Sequence, residues 1–191
     1  MTTAPIITEI DDHFVGTITL NRPDQLNTFT SAAAAELYRA LMELDDNDKV
    51  RVVMVKGAGK AFCAGIDVNE LEGKSAIEYR NWIEHMERPL VTISRMRKPV
   101  MAVVQGVAAA NGMGLAVSAD LTIAADNAKM GLTAINVGLN CVGPVIPVSR
   151  IIGRKKALEL LLYGDLIKAP ELLSMGLVNR IVPKEELDEQ A

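Results

Sequence analysis

The sequence offers little metal or disulfide chemistry. Its two cysteines, Cys63 and Cys141, stand far apart and form no CxxC pair. A disulfide framework and a thiolate zinc site are therefore not expected. The two histidines, His13 and His85, belong to no HxH or HExxH pattern, so no metal is expected either. No apolar run approaches the roughly 18 residues that a membrane span needs. Residues 1–10 show no basic stretch followed by an apolar one, so no secretory leader is read there. The net charge is −4 and the Lys and Arg residues are scattered, which argues against a nucleic-acid partner. The expectation is a reduced, cytoplasmic chain with neither membrane nor nucleic-acid contacts.

A foldable core is present. Hydrophobic residues make up 49% of the 191 residues and charged ones 23%, a balance that permits burial and excludes a disordered tail. No linker splits the chain, so residues 1–191 read as one domain. Short β-branched runs alternate with helical periods. Residues 14–20, 50–56, 100–104, 121–125 and 177–182 read as strands; 31–44, 75–97, 155–163 and 169–175 read as helices. Thr30 or Ser31 caps the first helix and Pro99 stops the second. This alternation predicts an α/β fold with a largely parallel sheet. Ligands in such folds meet loops and helix N-termini at strand ends, here 57–67, 105–114 and 131–147.

Generic motifs fail in these loops. GAGKAFCAGID (57–67) is no phosphate loop, because Met54 and Ala61 stand where glycine and Ser or Thr are needed. NGMG (111–114) is no dinucleotide fingerprint, because Val117 replaces the third small residue. Ser118 lacks a nucleophile elbow. Cys63 reads as a small buried hydrophobe.

Read together, the loops are informative. NRPDQLN (21–27), AFCAGID (61–67), KPV (98–100) leading to QGVA (105–108), Ala119-Asp120 to Ala125, and MGLVNRIVP (175–183) occur in that order. This pattern resembles the enoyl-CoA hydratase/isomerase (crotonase) superfamily from about residue 6 to 183. The resemblance implies a crotonase-like spiral of ββα units. It implies an acyl-CoA ligand, with coenzyme A as part of the substrate and no separate cofactor. It further implies two backbone N–H groups aimed at the thioester oxygen, where they stabilise an enolate. By position these belong to Ile66 and Asn111. The small residues Ala64, Gly65, Ala110 and Gly112 let backbone approach the acyl group. Arg22 and Lys60 are the candidates for the coenzyme A phosphates. A homo-oligomer, a trimer or a dimer of trimers, is implied as well. So is a helical region after the last strand, into which a sequence ending at Ala191 does not continue.

Two departures follow. Hydratases of the family use paired glutamates, one in a GGGxE segment and one in a PE(I/V)xxG segment. Those places hold Gly114 and Ala134 here, and neither transfers a proton. The aspartate and tryptophan of the family's 4-chlorobenzoyl-CoA dehalogenases fall near Val142 and Ala134, which removes that chemistry. LNCVGPVIP (139–147) replaces an IPGAGGTQ-like run, and Asn136, Asn140 and Cys141 are expected to face the acyl group. Asp67, Glu70, Glu72, His85 and Cys141 are the substitute acid/base candidates, with loop capping the plainer role for Asp67 and a solvated surface the plainer place for Glu70 and Glu72. Tyr79, Trp82 and Met113 are candidates for the pocket lining. Three readings stay open: an enzyme with non-standard acid/base groups, an acyl-CoA-binding protein without chemistry, and a scaffold without a ligand.

Overall fold

The computed structural model describes residues 4–191. A hairpin opens the chain, β1 (Ile6–Ile10) antiparallel to β2 (Val15–Leu20). Along β2 every second residue is buried, including Ile18 and Leu20, as expected of a strand with one face on a core. α1 (Ser31–Asp46) follows, and its N-cap Thr30 accepts a hydrogen bond from Ala33 N–H. Then come β3 (Val52–Gly57) and α2 (Ala76–Ile93). Ser75 and Glu78 close a capping box at the start of α2, satisfying two otherwise orphaned N–H groups.

The next two units have one plan. β4 (Val100–Val104), β5 (Val107–Ala109) and α3 (Asn111–Ser118) are followed by β6 (Leu121–Ala125), β7 (Lys129–Gly131) and α4 (Val145–Tyr163). Each unit gives its first strand to a six-stranded sheet of order β1-β2-β3-β4-β6-β9 and its second to a small sheet of order β5-β7-β8. The chain ends through β8 (Ile167–Lys168), α5 (Ala169–Ser174), β9 (Arg180–Val182) and α6 (Leu187–Gln190). In the large sheet every pairing after the β1–β2 hairpin is parallel. This is the ββα spiral with a largely parallel sheet. α3 is buried along almost its whole length, which fits its two glycines, Gly112 and Gly114, and its lack of charged residues.

Several boundaries differ from the sequence reading. α2 ends at Ile93 rather than residue 97. The N–H groups of Arg97 and Lys98 donate to the buried Asp45 carboxylate instead of continuing the helix. α4 starts at Val145, ahead of the expected residue 155, and Gly153 breaks its helical geometry with φ 77°. That kink interrupts the apolar period and hides the first half of the helix from pattern reading. Only 180–182 of the expected strand at 177–182 pair. Leu177 instead donates to the Leu172 carbonyl at the end of α5. β5, β7 and β8 are too short for an alternation to register.

Candidate active site

The loop after β3 and the start of α3 are held together by strand-like bonds. Cys63 N–H donates to the Val107 carbonyl at 3.1 Å, and Ala109 N–H to the Cys63 carbonyl at 2.9 Å. Buried Asn27 braces this loop by donating to the carbonyls of Ala58 and Ala61, each at 2.9 Å. Gln105 donates to the Gly57 carbonyl at 2.6 Å.

Two residues further on, the backbones nearly touch. Gly65 has φ 100°, and a Cβ on it would stand 3.1 Å from both the Ala109 oxygen and the Ala110 Cβ. Ala110 is itself in a strained conformation, φ 49° and ψ −114°, of the kind that concentrates at functional sites. Its N–H is tied to the Gly131 carbonyl at 2.8 Å.

Beside this junction lies a cavity of about 140 Å3. Ala64, Ile66 and Val68 form one wall, and Ala110 and Asn111 a second. Tyr79 and Ile83 of α2 form a third, and Thr133, Ala134, Val137, Leu139, Asn140 and Cys141 close it. Ile66 and Asn111 thus meet at one space. Among the described residues neither backbone N–H has a protein acceptor. Asn111 is the first residue of α3, where the N–H has no intrahelical partner, so the helix end adds partial positive charge.

The expected site residues divide. Ala64, Ile66, Ala110, Asn111, Ala134 and Asn140 line the cavity, and Gly65 lies beneath it against Ala109 and Ala110. The Asn111 amide turns to the Met86 carbonyl at 3.3 Å, so its side chain is tied to α2. Gly112 instead packs on the Cys63 carbonyl, which a Cβ would overlap. Gly114 faces Leu90 and Pro144. Asn136 donates to the Gly164 carbonyl at 2.9 Å, which turns its amide toward the end of α4. Asp67 caps the turn Val68–Glu70 through Asn69 N–H and pairs with Arg22 at 3.5 Å, so its carboxylate is engaged in the loop. Arg22 also donates to the Thr28 carbonyl at 2.5 Å. Lys60 stands in an exposed turn after β3 and does not line the cavity.

The other candidates are also placed. Trp82 and Met113 are buried away from the cavity. His85 Nε2 lies 2.8 Å from the Ser31 carbonyl. Cys63 is a core thiol that burial pushes up to about 12. Cys141 reaches the cavity, and its thiol pKa is raised by burial and by the nearby Glu87 carboxylate.

Two carboxylates have partners that the sequence reading did not show, and Glu87 was not singled out there at all. Glu70 accepts from Ser31 N–H at 2.9 Å, from Ser31 Oγ at 2.5 Å and from Trp82 Nε1 at 3.1 Å. Burial works against its charge, but these donors outweigh it and lower its pKa. It staples the Val68 wall to α1 and α2. Glu87, half-buried on α2, accepts from Gly143 N–H, and burial raises its pKa. Both look like ordinary surface glutamates of a helical pattern. Among the described residues no three His, Cys, Asp or Glu gather as a metal site, and no helix is long and apolar enough to cross a membrane.

Comparison with known proteins shows the family. Residues 11–191 match the family model for enoyl-CoA hydratase/isomerase. The chain is 36% identical over 194 residues to a probable enoyl-CoA hydratase of Mycobacterium bovis, covering 98% of this chain and 72% of that protein. It is 34% identical over 183 residues to the 1,2-epoxyphenylacetyl-CoA isomerase of Escherichia coli, covering 93% and 70%. The crystal structure of an enoyl-CoA hydratase from Mycobacterium smegmatis superposes with a TM-score of 0.93 at 36% identity, covering 97% and 73%. The chain belongs to the enoyl-CoA hydratase/isomerase family and has the crotonase fold.

Proposed function

We propose that the cavity receives the acyl end of an acyl-CoA thioester and that the N–H groups of Ile66 and Asn111 hold its carbonyl oxygen. The observation that carries this is the meeting of two backbone N–H groups without protein acceptors at one small cavity. Donors already in place where charge develops cost no reorganisation when an enolate forms. The positive end of α3 adds to the same effect. Coenzyme A belongs to the substrate, and no further cofactor is invoked. Arg22, which pairs with Asp67 beside Ile66, and Lys60, in the exposed turn after β3, are the cations assigned to its phosphates. The chain works in the cytoplasm as a homo-oligomer.

The chemistry departs from two-carboxylate hydration. No carboxylate lines the cavity, and Gly114 and Ala134 stand at the two expected places. Enolate formation by a non-standard proton-transfer group is the main reading. The empty carboxylate places also favour a second one, acyl-CoA binding without turnover.

Mass spectrometry of crotonyl-CoA incubated with the protein in deuterated, oxygen-18-labelled water separates these readings. Deuterium uptake without a gain of water supports enolate chemistry. A thioester-induced rise in melting temperature with no mass change supports binding alone, since a ligand that prefers the native state must raise stability. Neither effect contradicts both.

A further inference from the structure

Among the residues that line the cavity, only Tyr79 and Cys141 carry a side-chain acid proton. The places that the resemblance gives to the two glutamates differ. At Gly114 a Cβ would stand 2.6 Å from Leu90 Cδ2 and 2.9 Å from Pro144 Cβ. Apolar side chains fill that place. Ala134, by contrast, opens on the cavity. Cys141 lies beside Ala134 on the same cavity, where the Ala134 backbone favours the thiolate against the effect of burial, and Leu139 N–H donates to the Ala134 carbonyl at 3.0 Å. The thiol therefore lines the cavity beside Ala134. Glu87 fixes the same loop from the far side by accepting from Gly143 N–H. A Cβ at residue 143 would overlap that carboxylate, so the loop and Glu87 fit only with glycine there.

We propose that Cys141 is the catalytic proton-transfer residue of this cavity and that Glu87 is its positioning residue. The assignment rests on the thioester reading of the site. In the thiolate form the sulfur takes the α-proton of the bound acyl group. The C–H bond breaks, an S–H bond forms, and the electron pair moves onto the thioester oxygen between Ile66 and Asn111. The reverse step returns a proton from sulfur to the same carbon, or to the γ-carbon of an unsaturated chain. Solvent exchanges the S–H proton between the two steps. One group moving one proton supports exchange and double-bond isomerisation, whereas adding water needs a second group.

The groups facing Cys141 set its pH range. Glu87 and Tyr79 face it from α2, while Arg95 and Arg150 share with Glu87 a separate cavity on the other side. Burial and the Glu87 charge keep the thiol protonated at neutral pH, so the active thiolate is a minor fraction that grows with pH. The other thiol, Cys63, lies in the core and does not line the cavity.

The test is α-proton exchange of butyryl-CoA in deuterated water, read by mass spectrometry, with the butyryl-CoA-induced melting shift as a separate measure of binding. The wild type is expected to exchange, with a rate that climbs about tenfold per pH unit below the thiol pKa. Cys141→Ala and Cys141→Ser are both expected to keep the melting shift and lose about 100-fold or more in exchange. Glu87→Gln is expected to move the rise to lower pH. Exchange within about threefold of wild type in Cys141→Ala overturns the assignment, as does a wild type that shows the melting shift without exchange. A pH limb unmoved by Glu87→Gln removes Glu87 from it. A wild type with neither shift nor exchange overturns the thioester reading and this assignment together.

Discussion

Gly65 packs against Ala110 so closely that a Cβ on the glycine would stand 3.1 Å from the alanine Cβ. This contact aligns the chain carrying Ile66 with the start of α3 carrying Asn111. Gly65 also has φ 100°, which an L side chain adopts only with strain. Gly65→Ala is therefore expected to lower the unfolding free energy by about 1–3 kcal/mol. It should also abolish the thioester-induced melting shift. Denaturant unfolding and a melt with butyryl-CoA check both parts. A full melting shift in the variant would show that the contact does not set the donor geometry.

Glu70 ties the Val68 wall to α1 and α2 through Ser31 and Trp82. Its pKa is held below the ordinary glutamate value. A depressed folded pKa gives stability above the unfolded pKa that is lost as pH falls through the folded one. Glu70→Gln is expected to cost about 1 kcal/mol at pH 7, given its partial exposure. The difference from wild type should shrink in acid as Glu70 itself protonates. Urea titrations at neutral and acid pH test this, and an equal difference at both would contradict it.

Glu87 has the opposite sign. Burial raises its folded pKa, so ionisation disfavours the fold. The stability it contributes is fully present below the unfolded pKa of about 4.3 and lost as pH rises through the folded pKa. Glu87→Gln keeps an oxygen for Gly143 N–H and removes the charge. It is expected to melt above wild type at pH 8 and level with it at about pH 4. A variant less stable than wild type at pH 8 would contradict this.

The size of the cavity sets a preference. Sites for drug-sized ligands run to about 300–1,000 Å3, and this one encloses about 140 Å3. Short acyl groups are expected to fit and long ones to require opening of the Val68 wall. Isothermal titration with butyryl-CoA and palmitoyl-CoA should give at least about tenfold tighter binding of the short chain, or roughly 1.4 kcal/mol. Equal affinities would mean that the acyl group lies elsewhere.

Much of this was legible in the sequence, unevenly. The fold followed from long alternating segments such as β2 and α1, and from the loop motifs at 61–67 and 105–108. Ile66 and Asn111 could be expected at one site because a backbone N–H depends on position rather than on side chain, and both line the cavity. Asn136 and Asn140, four residues apart, looked equivalent, yet Asn140 lines the cavity and the Asn136 amide bonds Gly164. The turn that separates them ends at Gly138 with φ 75°, a local geometry that no periodicity carries. Glu70 read as a solvated surface charge and Glu87 was missed, because their roles depend on partners distant in sequence, Ser31 and Gly143. A helical pattern shows only that such residues are polar.

The central claim is that Ile66 and Asn111 N–H groups bind one thioester oxygen. The most direct test is an amide proton–nitrogen NMR titration with butyryl-CoA, with these two resonances assigned. Saturable downfield shifts of both amide protons, at one common dissociation constant, are the predicted result. Saturable shifts elsewhere that leave both amides unmoved would contradict the account.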